Sequence, residues 1–195
     1  MEPSAYPDFP TADTPAAKNG LAILIDFDAC LLDIDAETGN ASVAPAVRDT
    51  LSRLFQAFGG AVALITQRSL LEVDRMLGLP DIPVAASNGM EMRSLRKSAV
   101  APATGRIVLS GIRRSDVITA LMNAAPFAGR MPVYIGHTAR DQGEPGIADR
   151  LGGFSVSVSD GVDRAQTGFS SPRDARALLS RWASASSAEV HSAAS

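Results

Sequence analysis

Leu21–Leu32 reads LAILIDFDACLL, and the fold follows from how this stretch is read. Five apolar residues, Leu21 to Ile25, run straight into two aspartates one residue apart, Asp26 and Asp28. That is the pattern of a fully buried strand that ends by delivering two carboxylates to its carboxyl tip. In an open α/β sheet, ligands bind at this edge. An acidic turn after a strand gives the same short pattern, so its meaning depends on what surrounds it.

Downstream, LLDIDAETGNASV carries Gly39 and Asn40, which predict a turn or small hairpin. Pro45 can open a helix, along which Val47, Leu51, Leu54, Phe55 and Phe58 recur at helical spacing until Gly59-Gly60. Residues 61–65 (AVALI) predict a second buried strand ending on Thr66-Gln67-Arg68, followed by a helix that Ser69 caps and Gly78 closes. PVAAS (83–87) predicts a third strand, Asn88-Gly89 a turn, and MEMR an edge strand. Residues 94–106 are basic, contain Pro, Ala and Gly, and have no period, so they read as a short connection. Beyond IVLSG, Ser115 or Asp116 is a candidate N-cap for a helix carrying Val117, Ile118, Leu121 and Met122. PVYIG (132–136) predicts a strand, 137–143 its polar loop, 144–151 a short helix, and 154–158 a last strand. Ser171-Pro172 opens a final helix with Ala175, Leu178, Leu179 and Trp182 inward. Strands alternating with helices predict a doubly wound, mainly parallel α/β sheet covered on both faces.

Composition bounds the classes. A chain of 195 residues, 46% hydrophobic and 20% charged, is ordinary globular material sized for one domain. A loose tail is expected at 1–19, a core domain at 20–183, and a second tail at 184–195. The net charge of -3 and the lack of a Lys/Arg stripe argue against nucleic acid as a partner. No run approaches the roughly 20 apolar residues of a membrane span. The lone cysteine, Cys30, has no partner for an intrachain disulfide, and the first residues lack the basic-then-apolar order of a signal peptide. The expectation is a cytoplasmic protein that does not engage membranes.

Taken together, the strand ending in Asp26-x-Asp28, the strand ending on Thr66 with Arg68 before a helix, PVAASNGMEMR, and PVYIGHTARD resemble the haloacid-dehalogenase-like phosphatases. Within these the order is most similar to the trehalose-6-phosphate phosphatases, over residues 20–183. The resemblance implies that Asp26 is the nucleophile, forming an aspartyl phosphate, and that Asp28 protonates the leaving oxygen and later activates water. It implies that Thr66 holds phosphoryl oxygens. It also implies Mg²⁺ held by Asp26, the backbone carbonyl of Asp28 and Asp141, since this hard ion takes oxygen ligands. A hydroxyl at a strand end can equally be satisfying the local backbone.

Several positions depart from that pattern. Ala29-Cys30 stands where relatives carry Gly-Thr, and Thr66-Gln67-Arg68 where they carry Ser-Gly-Arg. The usual lysine is replaced by Arg113 or Arg114, which supplies charge without the compact ammonium. After Gly136 the paired acids are His137-Thr138, leaving Asp141 as the acid of the loop, and no cap-sized insertion separates MEMR from Arg113. Three functions follow: a weak, capless Mg²⁺-dependent phosphomonoester hydrolase acting on a small phosphorylated metabolite of the sugar phosphate class; a catalytically impaired relative that binds a phosphorylated ligand or a protein partner; or a structural interaction subunit.

Overall fold

The computed structural model describes residues 15–93, 107–108, 114–136, 145–158, 168–169 and 171–184. In chain order, helix α1 (Pro15–Gly20) leads into strand β1 (Leu21–Asp26), which passes directly into the helical turn α2 (Phe27–Cys30). A hairpin of β2 (Asp33–Ile34) and β3 (Ala41–Ser42) precedes α3 (Pro45–Ala57). Asp35 closes the hairpin turn, its carboxylate accepting from the backbone N–H groups of Thr38 and Glu37. Then come β4 (Val62–Ile65), α4 (Leu70–Leu77), β5 (Val84–Ala86), β6 (Glu91–Arg93) and β7 (Ile107–Val108). The remainder is α5 (Arg114–Met122), β8 (Met131–Gly136), α6 (Pro145–Arg150), β9 (Phe154–Val158), β10 (Gly168–Phe169) and α7 (Pro172–Ser184).

Among the described residues an eight-stranded sheet runs β10-β9-β8-β1-β4-β5-β6-β7, and β1 sits between two parallel neighbours. Pairing is parallel from β10 through β5 and antiparallel for β6 and β7. Every residue of β1 is buried, as a strand covered on both faces requires. Alternation divides it: Leu21, Ile23 and Ile25 join a core with Leu51, Leu54, Phe58, Leu178 and Trp182, whereas Ala22 and Leu24 join Val117, Ile118, Leu121 and Phe127. Thus α3 and α7 cover one face and α5 the other. On the α3/α7 side, Phe58 and Trp182 pack with centroids 6.0 Å apart and rings tilted by 50°. Each such buried side chain contributes roughly 1.5–3 kcal/mol.

Local chemistry explains the helix starts and the sheet's ties. Pro45 occupies the first turn of α3, where its missing N–H costs nothing. Ser69 and Glu72 form a reciprocal capping box on α4. Arg93 fastens β6 to α4 by donating to the Asp74 carboxylate and to the carbonyls of Leu79 and Ile82. At the amino edge of the sheet, Arg130 donates to the carbonyls of Phe58, Leu21 and Lys18.

Four expectations need correction. The tail expected through residue 19 is helical from Pro15, because α1 packs onto the start of β1 with Lys18 buried and its carbonyl bonded by Arg130. MEMR is not the sheet's edge, since β7 pairs outside it. Phe154–Val158 is not the last strand, since β10 follows. Both added strands have two residues, too few to show a period. Ser115 and Asp116 lie inside α5, which already begins at Arg114; both residue types suit a first helical turn as well as a cap. Residues 94–106, read as a short connection without a lid, lie outside the described residues.

Candidate active site

Asp26 ends β1 and is also the N-cap of α2. Its Oδ1 accepts the Ala29 N–H at 3.0 Å, so one bond fixes both the helical turn and the carboxylate. The residue is 7% exposed. From the neighbouring strand β8, the buried Tyr134 hydroxyl donates to Oδ2 of Asp26 at 3.4 Å. Gly136 makes that approach possible. A Cβ there would lie 2.6 Å from the Tyr134 hydroxyl oxygen and 2.7 Å from the Cβ of Asp26, so only a bare backbone lets the ring reach the carboxylate.

Register brings the second strand tip alongside. Asp26 pairs with Ile65, placing Thr66 next in line at the same edge. Asp28, on α2, accepts the Thr66 hydroxyl on Oδ2 at 2.5 Å and Arg68 Nε on Oδ1 at 2.7 Å. The Arg68 backbone N–H donates in turn to Thr66 Oγ1 at 3.1 Å. Thr66 is buried, while the side chains of Asp28 and Arg68 are each 28% exposed. The loop carrying Arg68 is anchored from below: the Ser87 N–H donates to the Arg68 carbonyl, and Glu91 accepts from the Ser87 hydroxyl and the Leu70 N–H.

Asp26, Asp28, Thr66 and Gly136 therefore meet at one edge, as the strand-tip reading expects. Arg113, Asp141 and His137 lie outside the described residues, as does the side chain of Arg114, whose backbone opens α5. Two members of the cluster were given no chemical role from the sequence. Arg68 was visible there only as the third residue of its block, and Tyr134 only as a strand residue two before a glycine. A groove of about 480 Å³ between the hairpin, α3 and α7 is lined by Asp33, Val47, Leu51 and Arg176 among others. It includes none of the carboxylate cluster.

Cys30 is buried beneath the site, and its thiol donates to the Ile135 carbonyl at 3.4 Å. Burial and then the Asp26 charge push the thiol well above its usual value of 9.0, with Arg176 pulling it down. The native protein should therefore resist a disulfide reagent at pH 8 and react with one equivalent on unfolding, as a colorimetric thiol assay would show. Fast labelling of the native chain would contradict this. By linkage, an acid whose proton is held more tightly in the fold costs stability as pH rises past 9.0, where the unfolded thiol ionises.

Among the described residues, no group of three or more His, Cys, Asp and Glu could hold a metal. Of the groups that the resemblance implies for Mg²⁺, the Asp26 carboxylate and the Asp28 carbonyl lie among the described residues, and oxygen donors are the kind such a hard ion takes.

A trehalose-phosphatase family model matches residues 24–104, the span from the end of β1 past Thr66, Arg68 and β6. The chain resembles the trehalose-phosphatases. Trehalose-6-phosphate phosphatase of Escherichia coli (strain K12) is 22% identical over 223 residues, covering 80% of this chain and 84% of that protein. That stretch is longer than this chain of 195 residues, so the trehalose-phosphatase carries residues with no counterpart here. The fold is shared with the C-terminal domain of the C. albicans trehalose-6-phosphate phosphatase, at TM-score 0.68 and 10% identity over 88% of this chain and 94% of that one. A phosphatase of the haloalkanoate (HAD) superfamily from Bacteroides thetaiotaomicron matches at TM-score 0.56 and 11% identity, over 85% and 96%. The trehalose-phosphatase likeness and the HAD-like α/β fold thus agree with the motif order.

Proposed function

We propose that the chain is a Mg²⁺-dependent phosphomonoester hydrolase acting on a small phosphorylated metabolite of the sugar phosphate class, through an aspartyl phosphate on Asp26. The observation that carries this reading is a carboxylate held at a strand's carboxyl tip by its own helical turn, with a second carboxylate and a threonine hydroxyl beside it. A carboxylate oxygen of Asp26 forms a bond to phosphorus as the ester P–O bond breaks, and Asp28 gives a proton to the departing oxygen. Asp28 then takes a proton from water as that water attacks phosphorus, and the bond to Asp26 breaks to release phosphate. Mg²⁺ held by Asp26, the Asp28 carbonyl and Asp141 would supply positive charge to the phosphoryl oxygens. Thr66, with Arg113 or Arg114, would bind those oxygens.

Turnover of p-nitrophenyl phosphate and of trehalose 6-phosphate, each with Mg²⁺ and with chelator, tests the proposal. The expected result is slow, chelator-sensitive hydrolysis. The single acid left in the loop after Gly136 could cost about a thousandfold through weakened metal charge stabilisation. His137→Asp with Thr138→Asp should then raise the rate. A chain inert in both forms that still binds phosphate would be a binding protein and not an enzyme.

A further inference from the structure

We propose that Arg68 is a phosphoryl-binding residue of this site, held against Asp28 until an anion arrives. This rests on the phosphatase reading above. Arg68 follows Thr66 by two residues at the tip of β4, and its backbone N–H is bonded to the Thr66 hydroxyl oxygen, so the two side chains leave the sheet from one rigid corner. Its Nε meets Asp28 at 2.7 Å. A guanidinium carries five donors in a planar fork, and the contact with Asp28 engages one edge. The terminal nitrogens match two oxygens of a phosphoryl group, which a point-charge lysine would not.

Thr66 adds the complementary constraint. A hydroxyl has one proton to donate, and here it goes to Asp28. Thr66 can therefore bind a phosphoryl oxygen only by turning away from Asp28, which then depends on Arg68 for its bond. Arg68 both keeps Asp28 in place and supplies cationic donors at the strand tips. Substrate binding becomes an exchange in which the phosphoryl group takes the Thr66 donor from Asp28 and shares the Arg68 guanidinium with it. Removing the competing carboxylate should strengthen anion binding.

Titration of the full chain with inorganic phosphate in the presence of Mg²⁺, followed by calorimetry, tests this. Arg68→Gln should weaken phosphate binding roughly ten- to a hundredfold, the range for a charge-assisted hydrogen bond. Arg68→Lys should recover part of the loss. Asp28→Ala should bind phosphate more tightly than the parent, and adding Arg68→Gln should cost more in that background than in the parent. The Arg68–Asp28 pair is partly exposed, so little stability is at stake, and thermal melts check that each variant folds. If Thr66→Ala weakens phosphate binding while Arg68→Gln leaves it within twofold, Arg68 merely positions Asp28; the inference fails and the phosphate site stands. If the parent and Asp28→Ala both ignore phosphate at tens of millimolar, the phosphate site itself is wrong and the inference falls with it.

Discussion

Asp26→Asn should abolish phosphate ester hydrolysis, by more than about a thousandfold, while the protein melts within a few degrees of the parent. The loss is chemical, because an uncharged amide cannot take the phosphoryl group as a carboxylate does. The fold survives because asparagine keeps a side-chain oxygen at the N-cap of α2, where it can still accept the Ala29 N–H. Asp26→Ala separates the two roles. It should be equally inactive and also less stable by about 1 kcal/mol, the usual cost of an emptied cap. Steady-state rates beside thermal melts check both variants.

Gly153→Ala should be among the most destabilising small changes in the molecule, at about 3 kcal/mol. Gly153 lies just before β9, and a Cβ there would sit 1.9 Å from the Pro132 carbonyl oxygen and 2.7 Å from Pro132 Cγ. The first of these is backbone of β8 and cannot swing aside. Relief requires β8 and β9 to part near their first rung, where Val133 pairs with Phe154. Overpacking of this kind costs typically 1–3 kcal/mol and sometimes more. In a domain of this size that is roughly 6–12 °C in melting temperature. Gly20→Ala is the control, because an added Cβ there meets nothing within 4 Å. A Gly153→Ala variant that melts with the parent would refute the close approach of the two strands.

Periodicity carried most of the architecture. β1 and β4 were legible because a strand buried on both faces is an uninterrupted apolar run, and α3 and α7 because each presents one apolar stripe. The Ser69 cap was legible because the capping box is local, its two partners lying three positions apart. What escaped was either too short or too distant. The two-residue strands β7 and β10 offer no period. α1 owes its place to contacts with β1 and to a bond from Arg130, which lies 112 residues away. The site divides in the same way. Asp26, Asp28 and Thr66 lie at or just past strand ends that the apolar runs locate. The partners of the two aspartates depend on register: Arg68 meets Asp28 across 40 positions and Tyr134 meets Asp26 across 108. No local signal pairs them.

The nucleophilic role of Asp26 is open to one direct measurement. The full chain is incubated with Mg²⁺ and a phosphate ester carrying heavy oxygen in its phosphoryl group, quenched in acid during turnover, digested, and the label traced by mass spectrometry. Label is expected on the peptide bearing Asp26, released by hydroxylamine as an acyl phosphate and absent from Asp26→Asn. Label on another residue, or steady hydrolysis that persists in Asp26→Asn, would contradict it.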